Sequence, residues 1–389
     1  MTAEREERAR PWVGEALSSW ASGLAGCSEL RALHAADITD QMLTDVARAA
    51  LAARAEKQSV FTRANLAADV ERELHGVVFA PGERAKAADR AFELAVPMAV
   101  KLSPPELAHV PERFRARDGT SQSAPASSWK FTTKEVLQAE ARLLEASRDT
   151  SGPRVSQSAV AAACERPVER KAYALGPDQA LAIEQVATSG RVTDLIVGAA
   201  GTGKSAALGV FRAAWEEEHG PGSVKGLAPS ASAAATLAGE LGIATENTVK
   251  WLYEAGKGAE RLAEVERLRA LAGELPADIS PSVVERAAAL EAEVKRWELH
   301  ADDLLIVDEA GLASTLDLDR FATQAREVGA KLLLVGDWAQ QGAVGPSGAF
   351  AMLAEDRGNP PELREARRFQ EPWERVRHRR APQRLADRD

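Results

Sequence analysis

The stretch "DLIVGAAGTGKSAALGVF", Asp194 to Phe211, decides how the chain is read. An aliphatic run ends at Gly198, and a Gly-x-x-x-x-Gly-Lys-Ser pattern continues through Ala199, Ala200, Gly201, Thr202, Gly203, Lys204 and Ser205. The glycines let consecutive backbone N–H groups turn inward around an anion, and a helix starting there adds the positive end of its dipole. The following "SAALGVFRAAW" is compatible with a helix. The spacing therefore predicts strand, phosphate-binding loop and helix, with Lys204 reaching the β- and γ-phosphates of ATP and the Ser205 hydroxyl ligating Mg²⁺.

Such a loop needs a carboxylate at the end of a neighbouring strand. "LLIVDEAG" supplies a pair: Asp308 is expected to hold Mg²⁺, and Glu309 to orient and deprotonate the attacking water. A third strand-to-loop turn, "LLLVGDWAQQGAVGPSGAF", places Gln340 where an amide would sense the γ-phosphate. The runs "DLIVG" (194–198), "VKGLA" (224–228), "DLLIVD" (303–308) and "KLLLVGD" (331–337) are short, apolar and without clear alternation. That is the pattern of strands in a parallel sheet buried on both faces, and helical stretches between them predict an α/β fold.

Upstream, the first hundred residues read as helices rich in Ala, Leu, Glu and Arg. In "FTRANLAADVEREL" Thr62 is a cap before Leu66, Val70 and Leu74. In "FTTKEVLQAEARLLEAS" Thr132 and Glu135 have capping-box spacing. The polar segment between them is read as a connector with a short hairpin near Asp118-Gly119. Glu254 to Leu299 interrupts the α/β alternation with two charged helical stretches around Pro276 and Pro281, as expected of a helical hairpin with solvated faces.

Composition narrows the rest. With 45% apolar residues over 389 positions, two or three domains with real cores are possible. A net charge of −9 argues against a bulk electrostatic nucleic-acid binder, though not against a local basic groove. Cys27 and Cys164 show no metal spacing and suit a reducing compartment. No apolar run approaches a membrane span, and the charged start has no signal-peptide core, so the expectation is a cytoplasmic protein without membrane contact.

Taken in order, these pieces resemble superfamily 1 helicases of the RecD-like branch, and more closely the helicase region of MobF-class conjugative relaxases. "GPDQALAIEQV" looks like the Q-motif, whose Gln179 would read adenine. "GLAPSASAAATLAGELGIATENTVKWL" resembles the segment that touches single-stranded DNA, with Ser230, Ser232 and Thr248 at the matching hydroxyl positions. "VDEAG", "VGDWAQQGAV" and "LREARRF" match the later motifs, and Arg368 in the last would contact the γ-phosphate.

The match is specific from about Phe131 to Trp373 and looser from about Ser59 to Lys130. It implies a RecA-like parallel sheet with helices on both faces, preceded by a mainly helical domain. The expected organisation is a helical domain over 1–117, a linker over 118–130 and a RecA-like domain over 131–374 carrying the insertion 254–299. A basic tail over 375–389, expected to be disordered, follows. By the same resemblance the activity is that of a 5′-to-3′ DNA translocase using ATP and Mg²⁺.

Two features depart from the family pattern. The nicking domain of such relaxases needs a cluster of metal-binding histidines and N-terminal tyrosines. Here the six histidines lie far apart and the tyrosines are Tyr173 and Tyr253, so nicking is not expected. After Phe369 only "QEPWERVRHRRAPQRLADRD" remains, too little for the second motor domain with its arginine finger, a group typically worth about 10³–10⁵ in rate. A frameshift or early stop after about Glu374 would produce that tail; the alternative is a basic segment binding nucleic-acid backbone.

The leading expectation is a DNA-linked ATPase of this class, weak alone and completed by a relaxase or helicase partner that supplies the second motor domain. The alternative is a non-catalytic nucleotide-binding module that docks with such a complex. A nucleotide-binding protein with no nucleic-acid role is the weakest, since the guanine-reading Asn-Lys-x-Asp of a GTPase is lacking.

Overall fold

A computed structural model describes residues 33–34, 38–75, 77–102, 129–166, 175–199, 201–274, 280–337 and 348–364. Contacts divide the chain into two units, Met1–Glu140 with Ser314–Leu316, and Ala141–Ala313 with Asp317–Asp389.

In the first unit, helices α1 (Asp40–Lys57), α2 (Arg63–Glu73) and α3 (Glu83–Ala95) pack around Leu43, Val46, Leu66, Val70 and Ala91. Thr62 caps α2 as expected. Its Oγ1 accepts the Asn65 N–H at 3.3 Å, while Asn65 Oδ1 accepts the Thr62 N–H at 3.0 Å. A two-residue strand β1 (Val100–Lys101) pairs antiparallel with β2 (Phe131–Thr132). Helix α4 (Lys134–Arg148) follows, and here the capping residue differs from expectation. Thr133 Oγ1 accepts the Val136 N–H at 3.2 Å. Thr132 lies in β2, and its hydroxyl donates to the Ser59 carbonyl at 2.7 Å. Of two adjacent threonines, the strand takes the first and the helix the second. The hairpin expected near Asp118-Gly119 lies outside the described residues.

The second unit is built on a parallel six-stranded sheet. Its strands are β3 (Thr193–Gly198), β4 (Val224–Ala228), β5 (Ala244–Asn247), β6 (Leu304–Val307), β7 (Lys331–Gly336) and β8 (Glu362–Leu363), in the order β5-β4-β6-β7-β3-β8. Successive side chains of a strand point to opposite faces. Ile196, Ile306, Leu333 and Val335 pack on one face with Val160, Ile183, Phe211 and Leu237. Leu195, Val197, Leu305, Val307, Leu332 and Leu334 pack on the other with Leu143, Trp251, Phe321 and Phe350. Both alternate sets are therefore apolar, which is why these strands read as unbroken aliphatic runs.

The first face is covered from helices α5 (Gln157–Glu165), α6 (Pro177–Thr188), α7 (Lys204–His219) and α8 (Ala231–Leu241). The second is covered from α9 (Thr248–Gly256), α12 (Thr315–Val328) and α13 (Ala349–Arg357), together with Leu143 and Ala146 from the part of α4 that belongs to this unit. This is the α/β architecture of a P-loop nucleoside triphosphatase.

The insertion forms helices α10 (Gly258–Glu274) and α11 (Ser280–Arg296), which pack on each other and bury Val265, Ala287 and Val294. The Arg269–Glu291 ion pair links them at 2.6 Å. Pro281 belongs to the first turn of α11 rather than to the turn between helices. A first-turn N–H has no helical acceptor, so proline is tolerated there. Among the described residues no helix is long and apolar enough to cross a membrane.

Candidate nucleotide site

All six strands run the same way, so their carboxyl ends share one edge, where open α/β sheets bind ligands. That edge receives the phosphate loop after β3, Ser230 after β4, Thr248 after β5, Asp308 and Glu309 after β6, and Asp337 after β7. In the strand order β7 separates β3 from β6. The turn at Gly336-Asp337 therefore emerges between the loop and the carboxylate pair.

The loop has the backbone such a cradle requires. Gly201 and Gly203 have φ of +84° and +80°, a region that side-chain-bearing residues rarely adopt. Thr202 closes the turn, its hydroxyl donating to the Ala199 carbonyl at 2.8 Å and its N–H to the same oxygen at 3.3 Å. Gly198 is needed for close approach, because a Cβ there would lie 3.2 Å from both Lys204 Cγ and Thr202 Oγ1. Lys204 then opens the sixteen-residue helix α7, whose N-terminal dipole favours an anion. The donor set, the left-handed glycines and the crowding at Gly198 all fit a triphosphate with its cation. Ser205 Oγ donates to Glu240 on α8, a partner that no motif announces.

At the end of β6 the Asp308 N–H donates to the Leu227 carbonyl at 2.9 Å, fixing the chain to β4 as it leaves the sheet. Asp308 Oδ1 accepts the Glu309 N–H at 2.9 Å. Glu309 is exposed and holds φ at +52° before the short 3₁₀ turn Ala310–Leu312. A left-handed glutamate with no glycine-like freedom is a strained residue, and such strain clusters at functional positions. Gly336 lets β7 approach this turn, since a Cβ on it would meet the Phe350 ring at 3.2 Å and the Gly311 nitrogen at 3.3 Å. Sequence reading passed over both Glu240 and Gly336; only the packing identifies them.

Gln179 and Thr248, two residues assigned by resemblance, are buried. Gln179 is fully buried, its Nε2 donating to the Thr202 carbonyl at 3.0 Å and the Gly203 carbonyl at 3.1 Å, while its Oε1 accepts the Gly176 N–H at 3.0 Å. The amide meets the phosphate loop. Thr248 is 3% exposed in the first turn of α9. Asn247 caps that helix, its Oδ1 accepting the Lys250 N–H at 2.7 Å. Ser230 caps α8 through the Ala233 N–H at 3.1 Å, and its hydroxyl lies 3.1 Å from that of the exposed Ser232. Ala200, Gln340 and Arg368 lie outside the described residues.

The fold and this edge define a nucleotide-binding P-loop domain. A family model described as "AAA domain" matches residues 174–384, more than half of the chain, and the chain belongs to that family. A probable conjugal transfer protein TraA of Sinorhizobium fredii (strain NBRC 101917 / NGR234) is 29% identical over 262 residues, 67% of this chain and 20% of that protein. A conjugal transfer protein TraA of Rhizobium radiobacter is 27% identical over 259 residues, 65% of this chain and 19% of that protein. The chain thus spans about a fifth of the length of these curated relatives.

Proposed function

We propose that this chain is the ATP-hydrolysing domain of a superfamily 1 DNA helicase acting in conjugative transfer, of the MobF relaxase class and of 5′-to-3′ polarity. The observation that carries the hydrolytic part is the strained Glu309 beside Asp308, emerging on the edge that bears the phosphate loop. The name shared by the two TraA relatives supports the conjugative part.

In this reading the loop N–H groups and Lys204 bind and orient the β- and γ-phosphates. Ser205 and Asp308 hold Mg²⁺, which when bound neutralises charge developing on the phosphates. Glu309 takes the proton of the attacking water. Gln340 senses the γ-phosphate from the loop after β7, and Arg368 contacts it from beyond β8. Ser230 and Ser232, at the start of α8, meet the backbone of single-stranded DNA.

Turnover of Mg·ATP by the full chain, with and without single-stranded DNA, tests this directly. Lys204→Ala is expected to abolish nucleotide binding. Glu309→Gln is expected to retain binding and lower turnover by about 10²–10⁴-fold. Turnover that survives in Glu309→Gln would remove Glu309 from the base role, and turnover indifferent to DNA would sink the helicase reading.

A further inference from the structure

The left-handed backbone of Glu309 needs something to hold it, because a residue outside its preferred region persists only where its surroundings over-determine it. Upstream, the Asp308 N–H is tied to the Leu227 carbonyl at 2.9 Å. Inside the turn, the Leu312 N–H donates to the Glu309 carbonyl at 2.9 Å, and the Ala313 N–H to the Ala310 carbonyl at 3.2 Å. Bonds inside the turn move with it. Its downstream end has to be held from outside.

The next three residues supply that hold. Ser314–Leu316 belong to the first unit, although the turn before them and the rest of α12 belong to the second. Thr315 is 2% exposed, and its Oγ1 lies 2.7 Å from Ser59 Oγ, where either hydroxyl can donate. Ser59 is itself fixed. Its carbonyl accepts the Thr132 hydroxyl at 2.7 Å, and Phe61 exchanges backbone hydrogen bonds with Phe131 at 2.9 and 2.8 Å. Leu316, 4% exposed, packs with Ala55 of α1 and with Val136 and Ala139 of α4. A polar and an apolar contact thus hold one end of a segment that begins at Glu309, five positions before Ser314. With two hydrogen bonds already closing the turn, that segment has little slack.

We infer that Thr315 is a positioning residue for hydrolysis: through its bond to Ser59 it fixes the downstream end of the turn that carries Glu309. The helical unit thereby takes part in turnover without placing a group at the reacting atoms. The inference rests on the base role proposed above for Glu309.

Two measurements on the full chain test it: ATP turnover, and hydrogen exchange of the peptide that covers the turn. Thr315→Val keeps the shape of the side chain and removes the hydroxyl. It is expected to lower kcat by about tenfold, given that a misplacement of about 1 Å costs on the order of 100-fold. KM and calorimetric ATP affinity are expected to stay at wild-type values, because the phosphate loop and Lys204 are untouched. Exchange of the Leu312 and Ala313 amides is expected to quicken by about three- to tenfold, the scale of one hydrogen bond. Ser59→Ala breaks the same bond from its other side, and the double variant should add nothing to either single one. Thr315→Ser keeps the hydroxyl and should keep wild-type turnover. Unchanged kcat, unchanged exchange, or equal losses in kcat and ATP affinity would each overturn the inference. Full turnover in Glu309→Gln, or none in wild type, would remove the base role and the inference with it. The exchange rates, read without turnover, tell that failure from a missing hold.

Discussion

Ser205 Oγ donates its proton to the Glu240 carboxylate, joining the first turn of α7 to the last turn of α8. A hydroxyl has one proton and two lone pairs, so this bond leaves the oxygen able to ligate a cation while fixing its orientation. With Ser205 in its proposed role as a Mg²⁺ ligand, Glu240 would serve it as outer-shell carboxylates serve other metal ligands. Losing such a partner typically lowers metal affinity by about 10–100-fold. Glu240→Ala is expected to raise the Mg²⁺ concentration for half-maximal ATP binding by about tenfold, with ATP binding in EDTA unchanged. A Ser205→Ala background should erase the effect. If Glu240→Ala acts equally with and without Mg²⁺, the contact serves packing alone.

The left-handed backbone of Glu309 and its proposed role as the base predict opposite effects of one substitution on stability and turnover. A residue held outside its preferred backbone region carries about 1–3 kcal/mol of strain. Glu309→Gly removes that strain and the carboxylate together. Thermal denaturation is expected to move up by about 2–4 °C, the shift that roughly 1 kcal/mol gives a domain of 150–250 residues. ATP turnover should fall by at least about 100-fold. A lower melting temperature would mean that side-chain contacts of Glu309 outweigh its backbone strain, and unchanged turnover would dismiss it as the base.

These contacts mark the limit of what residue types reveal. Strands β3, β4, β6 and β7 are legible because burial on both faces makes them aliphatic without interruption. Edge strand β5, "ATEN", is exposed or half-buried along its length, and β8 has two residues, so neither leaves an apolar run. The phosphate loop is legible because its backbone demands glycines at fixed spacing before a helix. Gln179 shows the opposite case. Its partners are backbone carbonyls, and any sequence has those, so only the folded chain shows where the amide points. The Glu240 partnership spans 35 positions and belongs to no motif.

Lys331 is buried at the first position of β7, its Nζ donating to Ser189 Oγ at 3.0 Å and the Arg191 carbonyl at 2.8 Å, with Asp194 3.6 Å away. Burial pulls its pKa down from 10.5 to about 8, against the opposing pull of Asp194. Between those values the unfolded chain keeps a proton that the folded chain releases, so the Lys331 contribution to stability rises with pH. It is complete above the unfolded pKa and lost as pH falls through the folded one. Wild type is therefore expected to gain on Lys331→Met from pH 8 to 10, by about 1–3 kcal/mol in urea unfolding. A stability difference that stays flat across that window would show that Lys331 keeps its ordinary pKa.

Asp69 is the fully buried hub of the helical unit, receiving Arg54 Nε, Arg72 Nη1 and, at 3.4 Å, Lys57 Nζ. The three cations are not equivalent. The Lys57 and Arg72 side chains are 49% and 52% exposed, so truncating either is expected to change stability by less than about 1 kcal/mol. The Arg54 side chain is 10% exposed and depends on Asp69 for its counter-charge. Asp69→Asn preserves volume but leaves that guanidinium buried without an anion and turns an amide donor toward other donors. Breaking one side of a buried pair costs about 3–5 kcal/mol, and a loss on that scale is expected in urea unfolding followed by circular dichroism. The same substitution should lower the Glu73 pKa, which burial foremost, and then the Asp69 charge, holds above its ordinary value. A loss under about 1 kcal/mol would mean that water reaches Arg54 and screens it as it does any surface arginine.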